Sequence, residues 1–157
     1  MKTETLAICL IGAALSIIYP VIVADSQTNL DPAPTYQRIE LNNLFKIAEH
    51  QDQIPWQPFH EGVDIHRLYG DGVHGPTAAL MRFRRGGKVP LHHHDGYEHI
   101  VVLSGSQHDQ NSRADEGTLI VNPPGSAHSV VSDGCIVLAI YEKPVAFGPD
   151  GEAIKPA

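Results

Sequence analysis

The spacing of apolar positions changes near Pro55. Before it, Leu41, Leu44, Phe45 and Ala48 in "LNNLFKIAEHQ" fall at helical intervals and predict a short amphipathic helix over Leu41–Gln51. After it, the period becomes two. Val63 and Ile65 alternate with Asp64 and His66, and Met81 and Phe83 alternate with Arg82 and Arg84. The runs "EHIVVLSG", "GTLIVNPPG", "HSVVSDG" and "CIVLAIYEK" follow, each bounded by Gly, Pro, Asp or Ser. No helical period occurs after Trp56, and no internal repeat is visible. Many short strands separated by turns predict an all-β, antiparallel sandwich or barrel.

The first residues follow a different pattern. From Leu6 to Ala24 the chain is apolar almost without interruption, preceded by Lys2 and offset by Glu4. Ala24 before Asp25 suits a signal-peptidase site, and Tyr19-Pro20 would break a helix just ahead of it. A run of about 20 apolar residues also spans a bilayer. Residues 1–24 are therefore expected to be a signal peptide or a membrane anchor, with export to the periplasm or the exterior. A start codon further along would instead give a cytoplasmic protein. The polar "SQTNLDPAPTY" opens an N-terminal arm over 25–55, the β domain is expected over 56–147, and "GPDGEAIKPA" reads as a flexible tail over 148–157.

Length and composition narrow the partners. At 157 residues, 42% hydrophobic and 18% charged, the chain supplies one soluble globular domain. A net charge of −7, with no block of Lys or Arg, argues against nucleic acid and anionic membrane surfaces. Of the two cysteines, Cys9 lies in the leader and Cys135 lies in an apolar run. No disulfide framework is implied, and Cys135 is expected to be a buried core residue.

The chemistry concentrates in "GGKVPLHHHDGYEHIVVLSG". Side chains alternate across a strand, so His92 and His94 share one face and His93 takes the other. Asp95-Gly96 signals a turn. On the next strand Glu98 shares a face with Ile100 and Val102, which directs it inward if those two line the interior. A lone carboxylate there would be costly to desolvate; two imidazoles and a cation remove that cost. In "GTLIVNPPGSAHSV" a strand ends at Asn122, Pro123-Pro124-Gly125 turns, and His128 opens the return strand. Such a hairpin can bring His128 beside the first three groups. Three imidazoles and a carboxylate suit one divalent transition ion: zinc, iron, manganese or nickel.

The remaining candidates have plainer readings. His93 and His99 alternate outward, and His50, His60, His66, His74 and His108 are expected to be solvated. Arg82 and Arg84 predict a solvated sheet face. Tyr97 is directed away from the four-residue group, and Trp56 and Phe59 are expected to close the barrel. No Ser-His-Asp arrangement, phosphate-binding loop or paired-carboxylate signature occurs.

These spacings resemble the cupin pattern G-x5-H-x-H-x3-E-x6-G followed by G-x5-P-x-G-x2-H-x3-N. Gly86, His92, His94, Glu98 and Gly105 match the first part; Gly117, Pro123, Gly125 and His128 match the second, with Ser132 in place of Asn. The wider stretch from Trp56 to Phe147 looks like the ChrR-type cupins. The resemblance implies a single-domain jelly-roll β-barrel with His92, His94, Glu98 and His128 facing inward on a metal. It favours zinc, as held by the cupin domain of the anti-sigma factor ChrR. The helical domain that grips a sigma factor in that family has no counterpart over 25–55, which contain no cysteine. An anti-sigma role is not expected to carry over. Two functions remain: a module binding a small molecule or reactive oxygen species, or an Fe(II)-dependent dioxygenase acting on a small organic substrate. Isomerase or lyase chemistry is a weaker variant of the enzyme. Small cupins commonly pair through their sheets, so a homodimer is the default.

Overall fold

The computed structural model describes residues 37–148; the apolar leader and the tail from 149 lie outside the described residues. Among the described residues no helix is long and apolar enough to cross a membrane. The period-two segments form nine antiparallel strands: β1 (Gln57–His60), β2 (Val63–Tyr69), β3 (Thr77–Phe83), β4 (Lys88–His94), β5 (Glu98–His108), β6 (Arg113–Asp115), β7 (Leu119–Asn122), β8 (Ala127–Tyr141) and β9 (Val145–Phe147). They join in one curled antiparallel sheet, a half-barrel, as the alternation predicts.

β8 is the spine of this sheet. Along one edge it pairs with β5 from Glu98↔Tyr141 to His108↔Val131. Along the other, its C-terminal half pairs with β3 and its N-terminal half with β4. The sequence divides this strand into two runs at Ser132-Asp133-Gly134, where turn residues cluster. The structure joins them, because Gly134 at φ 111° makes an irregularity in the ladder with β5 rather than a chain reversal. Ser132, the departure from the motif, is 1% exposed and fully bonded. Its hydroxyl donates to the Ser106 carbonyl at 2.7 Å and accepts from the Gly134 N–H at 2.9 Å.

The two faces of the sheet bury different apolar sets. The concave face gathers Val63, Ile65, Met81, Phe83, Ile100 and Val102 with the buried Cys135, whose thiol burial pushes up to about 11. The convex face gathers Leu80, Leu103 and Ile136 beneath Ile47 and Trp56. The predicted helix over Leu41–Gln51 is realised as three short turns: 3-10 at Leu44–Lys46, α1 at Ile47–His50 and 3-10 at Gln51–Gln53. Asn43, in the left-handed region and without a side-chain cap, opens this series.

That cover corrects one expectation. Arg82 is not solvated, its side chain being 24% exposed, whereas Arg84, at 64%, keeps the solvated position expected of it. Both donate to Asp64, which is 6% exposed, through Arg82 NH2 at 2.8 Å and Arg84 NH2 at 2.9 Å. The Arg82 guanidinium also lies 4.9 Å from the Trp56 ring centroid. A buried carboxylate needs such partners, and alternation along β2 and β3 could not reveal that Trp56 lies over Arg82.

Candidate metal centre

β4 presents His92 and His94 on one face, and the turn at Asp95-Gly96 reverses the chain so that Glu98 begins β5 facing them. His128 is the second residue of β8 and sits directly opposite His92 in the β4–β8 ladder. Cross-strand partners share a face, so register alone carries His128 to the other three. One donor atom from each of His92, His94, Glu98 and His128 lies within 4.8 Å of the rest. All four residues are 2–4% exposed. His93 is outside the group, as alternation requires.

The outer partners of the imidazoles decide what they present inward. His92 Nδ1 is 2.9 Å from the Pro90 carbonyl, which can only accept, so Nδ1 carries the proton. Ser126 donates its hydroxyl proton to the Pro123 carbonyl at 2.6 Å and must accept from His94 Nδ1 at 2.9 Å. His128 Nδ1 donates to Asp109 Oδ2 at 3.1 Å. Each neutral ring therefore turns an Nε2 lone pair toward the same point, the arrangement in which metal-bound histidines are held.

Inward, the distances are short. His92 Nε2 and His128 Nε2 are 3.1 Å apart. Glu98 Oε2 lies 3.2 Å from His94 Nε2 and 3.4 Å from His128 Nε2. His94 Nε2 is buried and has no aligned hydrogen-bond partner. Converging lone pairs and a carboxylate repel unless a proton or a cation lies among them. The donor set, three nitrogens and one oxygen, fits a divalent transition ion.

The titration behaviour follows from the same contacts. Burial pulls His92 down to about 4, so the ring stays a neutral donor. Burial also favours a protonated Glu98, but the adjoining His128 and His94 rings override it and hold the carboxyl well below its usual range. For His128, burial favours the neutral ring while Glu98 and Asp109 win and raise its pKa.

The centre opens into a cavity of about 580 Å³, whose wall includes His92, Glu98 and His128 with Phe59, Met81 and Phe147. Tyr141, the cross-strand partner of Glu98, also lines it. Its hydroxyl meets only Met81 Sδ at 3.5 Å, and burial and the charge of Glu98 raise its pKa far enough to keep it a donor. His60 corrects a second expectation. It is half-buried against Phe59 and Phe147, lines the cavity, and is pushed toward its neutral form by burial. Tyr97 is 48% exposed, directed away as expected.

Sequence reasoning identified the four central residues and missed their supports: Asp109, Ser126 and Asn122, whose Nδ2 donates to Glu98 Oε2 at 2.7 Å. Asn122 stood at the strand end ahead of the Pro-Pro-Gly turn, but its pairing with Glu98 spans 24 residues. Asp109→Asn should keep the fold and weaken metal affinity by about 10–100-fold, as loss of an orienting carboxylate does. A chelator competition titration would check this; unchanged affinity would remove Asp109 from the centre's support.

A family model for the ChrR cupin-like domain matches residues 46–146. Among solved structures, a cupin-like protein of unknown function from Ralstonia eutropha JMP134 is 26% identical, with a TM-score of 0.52, over 60% of this chain and 64% of that one. The complex of SigE with the anti-sigma ChrR from Rhodobacter sphaeroides matches at 28% identity and a TM-score of 0.51, over 57% of this chain and 49% of that one. The match thus spans less than two thirds of either relative's length. An acetylacetone dioxygenase from Acinetobacter johnsonii, 17% identical with a TM-score of 0.57 over 79% of this chain and 85% of that one, shares the fold. No curated protein matches the chain in sequence. With the family model covering well over half its length, this chain belongs to the ChrR cupin-like domain family.

Proposed function

We propose that His92, His94, Glu98 and His128 bind one divalent transition ion and that this ion holds a small organic molecule in the adjoining cavity. The observation that carries the reading is the convergence of three Nε2 lone pairs and one carboxylate at the wall of a 580 Å³ space. A bound ion would supply a Lewis acid with positions left for a ligand. The protein's own contribution is to fix the rings through Pro90, Ser126 and Asp109, to surround the ligand with apolar side chains, and to offer the Tyr141 hydroxyl as a donor. Capture of a reactive oxygen species alone would not require so large a space, which favours an organic ligand.

The cavity also supports a second reading, an Fe(II)-dependent dioxygenase that adds both atoms of O2 to its substrate. Metal analysis after anaerobic purification, paired with an oxygen-uptake screen, separates the two. Stoichiometric zinc without oxygen uptake supports the binding module. Iron that restores uptake with an organic substrate supports the enzyme. A chain that takes up none of the four ions refutes both. For location, the apolar run Leu6–Ala24 supports export, which fractionation of expressing cells would test: recovery from the cytoplasm alone contradicts it.

A further inference from the structure

Besides His60, whose buried Nε2 has no partner, two polar side chains of the cavity wall make no side-chain hydrogen bond or ion pair among the described residues. Arg67 on β2 lies at the mouth, its Cζ 6.0 Å from the Phe59 ring centroid, with no carboxylate within ion-pair distance. Asp71, which lines the same cavity, is engaged elsewhere. Its Oδ1 accepts from the Val73 and His74 N–H groups at 2.7 Å each, and its Oδ2 pairs with His74 Nδ1 at 2.8 Å. Gln107 on β5 is 4% exposed, lines the same cavity, and its amide makes no hydrogen bond to the protein. The amide is not among the side-chain groups sealed from solvent without a partner, so a ligand oxygen can reach it from the cavity.

The register separates the two groups. Arg67 pairs with Ala79, Ala79 with Ala139, and Ala139 with Ile100, so Arg67 shares a row with Ile100. Gln107 lies seven residues further along β5, opposite Ser132. The same wall carries the apolar Ile65, Met81, Phe83 and Val137, together with His92, Glu98 and His128.

We propose that the cavity takes an elongated organic acid: an apolar body with a carboxylate at one end, held by Arg67, and a hydroxyl or carbonyl oxygen at the other, held by Gln107. This rests on the reading of the cavity as the ligand site beside the metal, and it names the ligand's class. A guanidinium at an apolar mouth selects a planar anion with which it can form paired hydrogen bonds. An amide that both donates and accepts selects a hydroxyl or carbonyl over a methyl terminus, because the wrong ligand leaves it unpaired.

The test titrates decanoate, 10-hydroxydecanoate and decanamide into the metal-loaded full chain by calorimetry. Decanoate should bind at least tenfold tighter than decanamide, and 10-hydroxydecanoate at least fivefold tighter than decanoate. Arg67→Gln should abolish the preference for acid over amide, and Gln107→Leu the preference for the hydroxy acid. Both variants should keep the metal content and unfolding midpoint of the unaltered chain. Equal binding of acid and amide, preferences that survive both substitutions, or no binding of either acid overturns the proposal. Repeating the titration after chelation separates this outcome from the metal reading. Arg67-dependent acid binding in a chain that takes up no metal refutes the metal and leaves this proposal standing; a metal-loaded chain without acid preference does the reverse.

Discussion

Replacing Glu98 with glutamine should empty the centre while leaving the barrel folded. The substitution keeps shape and removes the only negative charge among the four donors. Three neutral imidazoles remain, and the amide's NH2 can turn toward Nε2 atoms that lie 3.2 and 3.4 Å from the present carboxylate oxygen. Loss of an outer partner costs about 10–100-fold in metal affinity, so loss of a direct anionic ligand should cost ~100-fold or more. The metal-free variant should unfold earlier than the metal-free parent, since the His94 and His128 rings hold Glu98 ionised and removing one partner of a buried charged group is destabilising. The parent gains about 2.7 kcal/mol when free ion exceeds its dissociation constant a hundredfold, and the variant should lose nearly all of that gain. Metal per chain by plasma mass spectrometry, with unfolding curves in both states, reads this directly. Unaltered metal content would place Glu98 outside the coordination sphere.

The second large effect is structural and belongs to a motif glycine. Gly105 has a φ of +71°, and a Cβ there would sit 2.0 Å from the Gly134 carbonyl oxygen and 3.0 Å from Cys135 Cα. Both neighbours are backbone in the central β5–β8 ladder, so neither can rotate aside. The left-handed conformation costs a side chain about 1–2 kcal/mol, and overpacking adds about 1–3 kcal/mol. Gly105→Ala should thus destabilise by roughly 2–5 kcal/mol, a large share of the ~5–15 kcal/mol that holds a domain folded. Gly125 supplies the control: its φ is +83°, but a Cβ would meet nothing within 4 Å. Its alanine variant should lose only the backbone strain, about 1–2 kcal/mol. Urea unfolding of both would show whether close approach, rather than φ alone, fixes the motif position. Equal losses would refute the argument.

How much of this was legible in the sequence follows from the range of each interaction. Alternation within one strand separated His92 and His94 from His93, because that period is a local property of extended backbone. Glu98 and His128 were readable from a turn and a strand start, with the motif spacing to join them. The supports were not. Asp109 meets His128 across 19 residues and Ser126 meets His94 across 32, and no pattern along the chain encodes such pairings. The same limit explains Arg82 and Asp64, where Trp56 and the ion pair cover what alternation predicts to be solvated, while Arg84 stays exposed. His60 was misread for a related reason: it ends a four-residue strand, too short for a periodic signal, and only tertiary packing against Phe147 carries it to the cavity. β8 read as two strands because turn residues mark an irregularity and a reversal in the same way.

Anomalous diffraction from crystals of the metal-loaded protein tests the central claim most directly. The predicted result is a single peak among the four side chains, about 2.0–2.2 Å from each of three Nε2 atoms and from one oxygen of Glu98. A map without density there, from protein saturated with each of zinc, iron, manganese and nickel, or a peak bound by other residues, would contradict it.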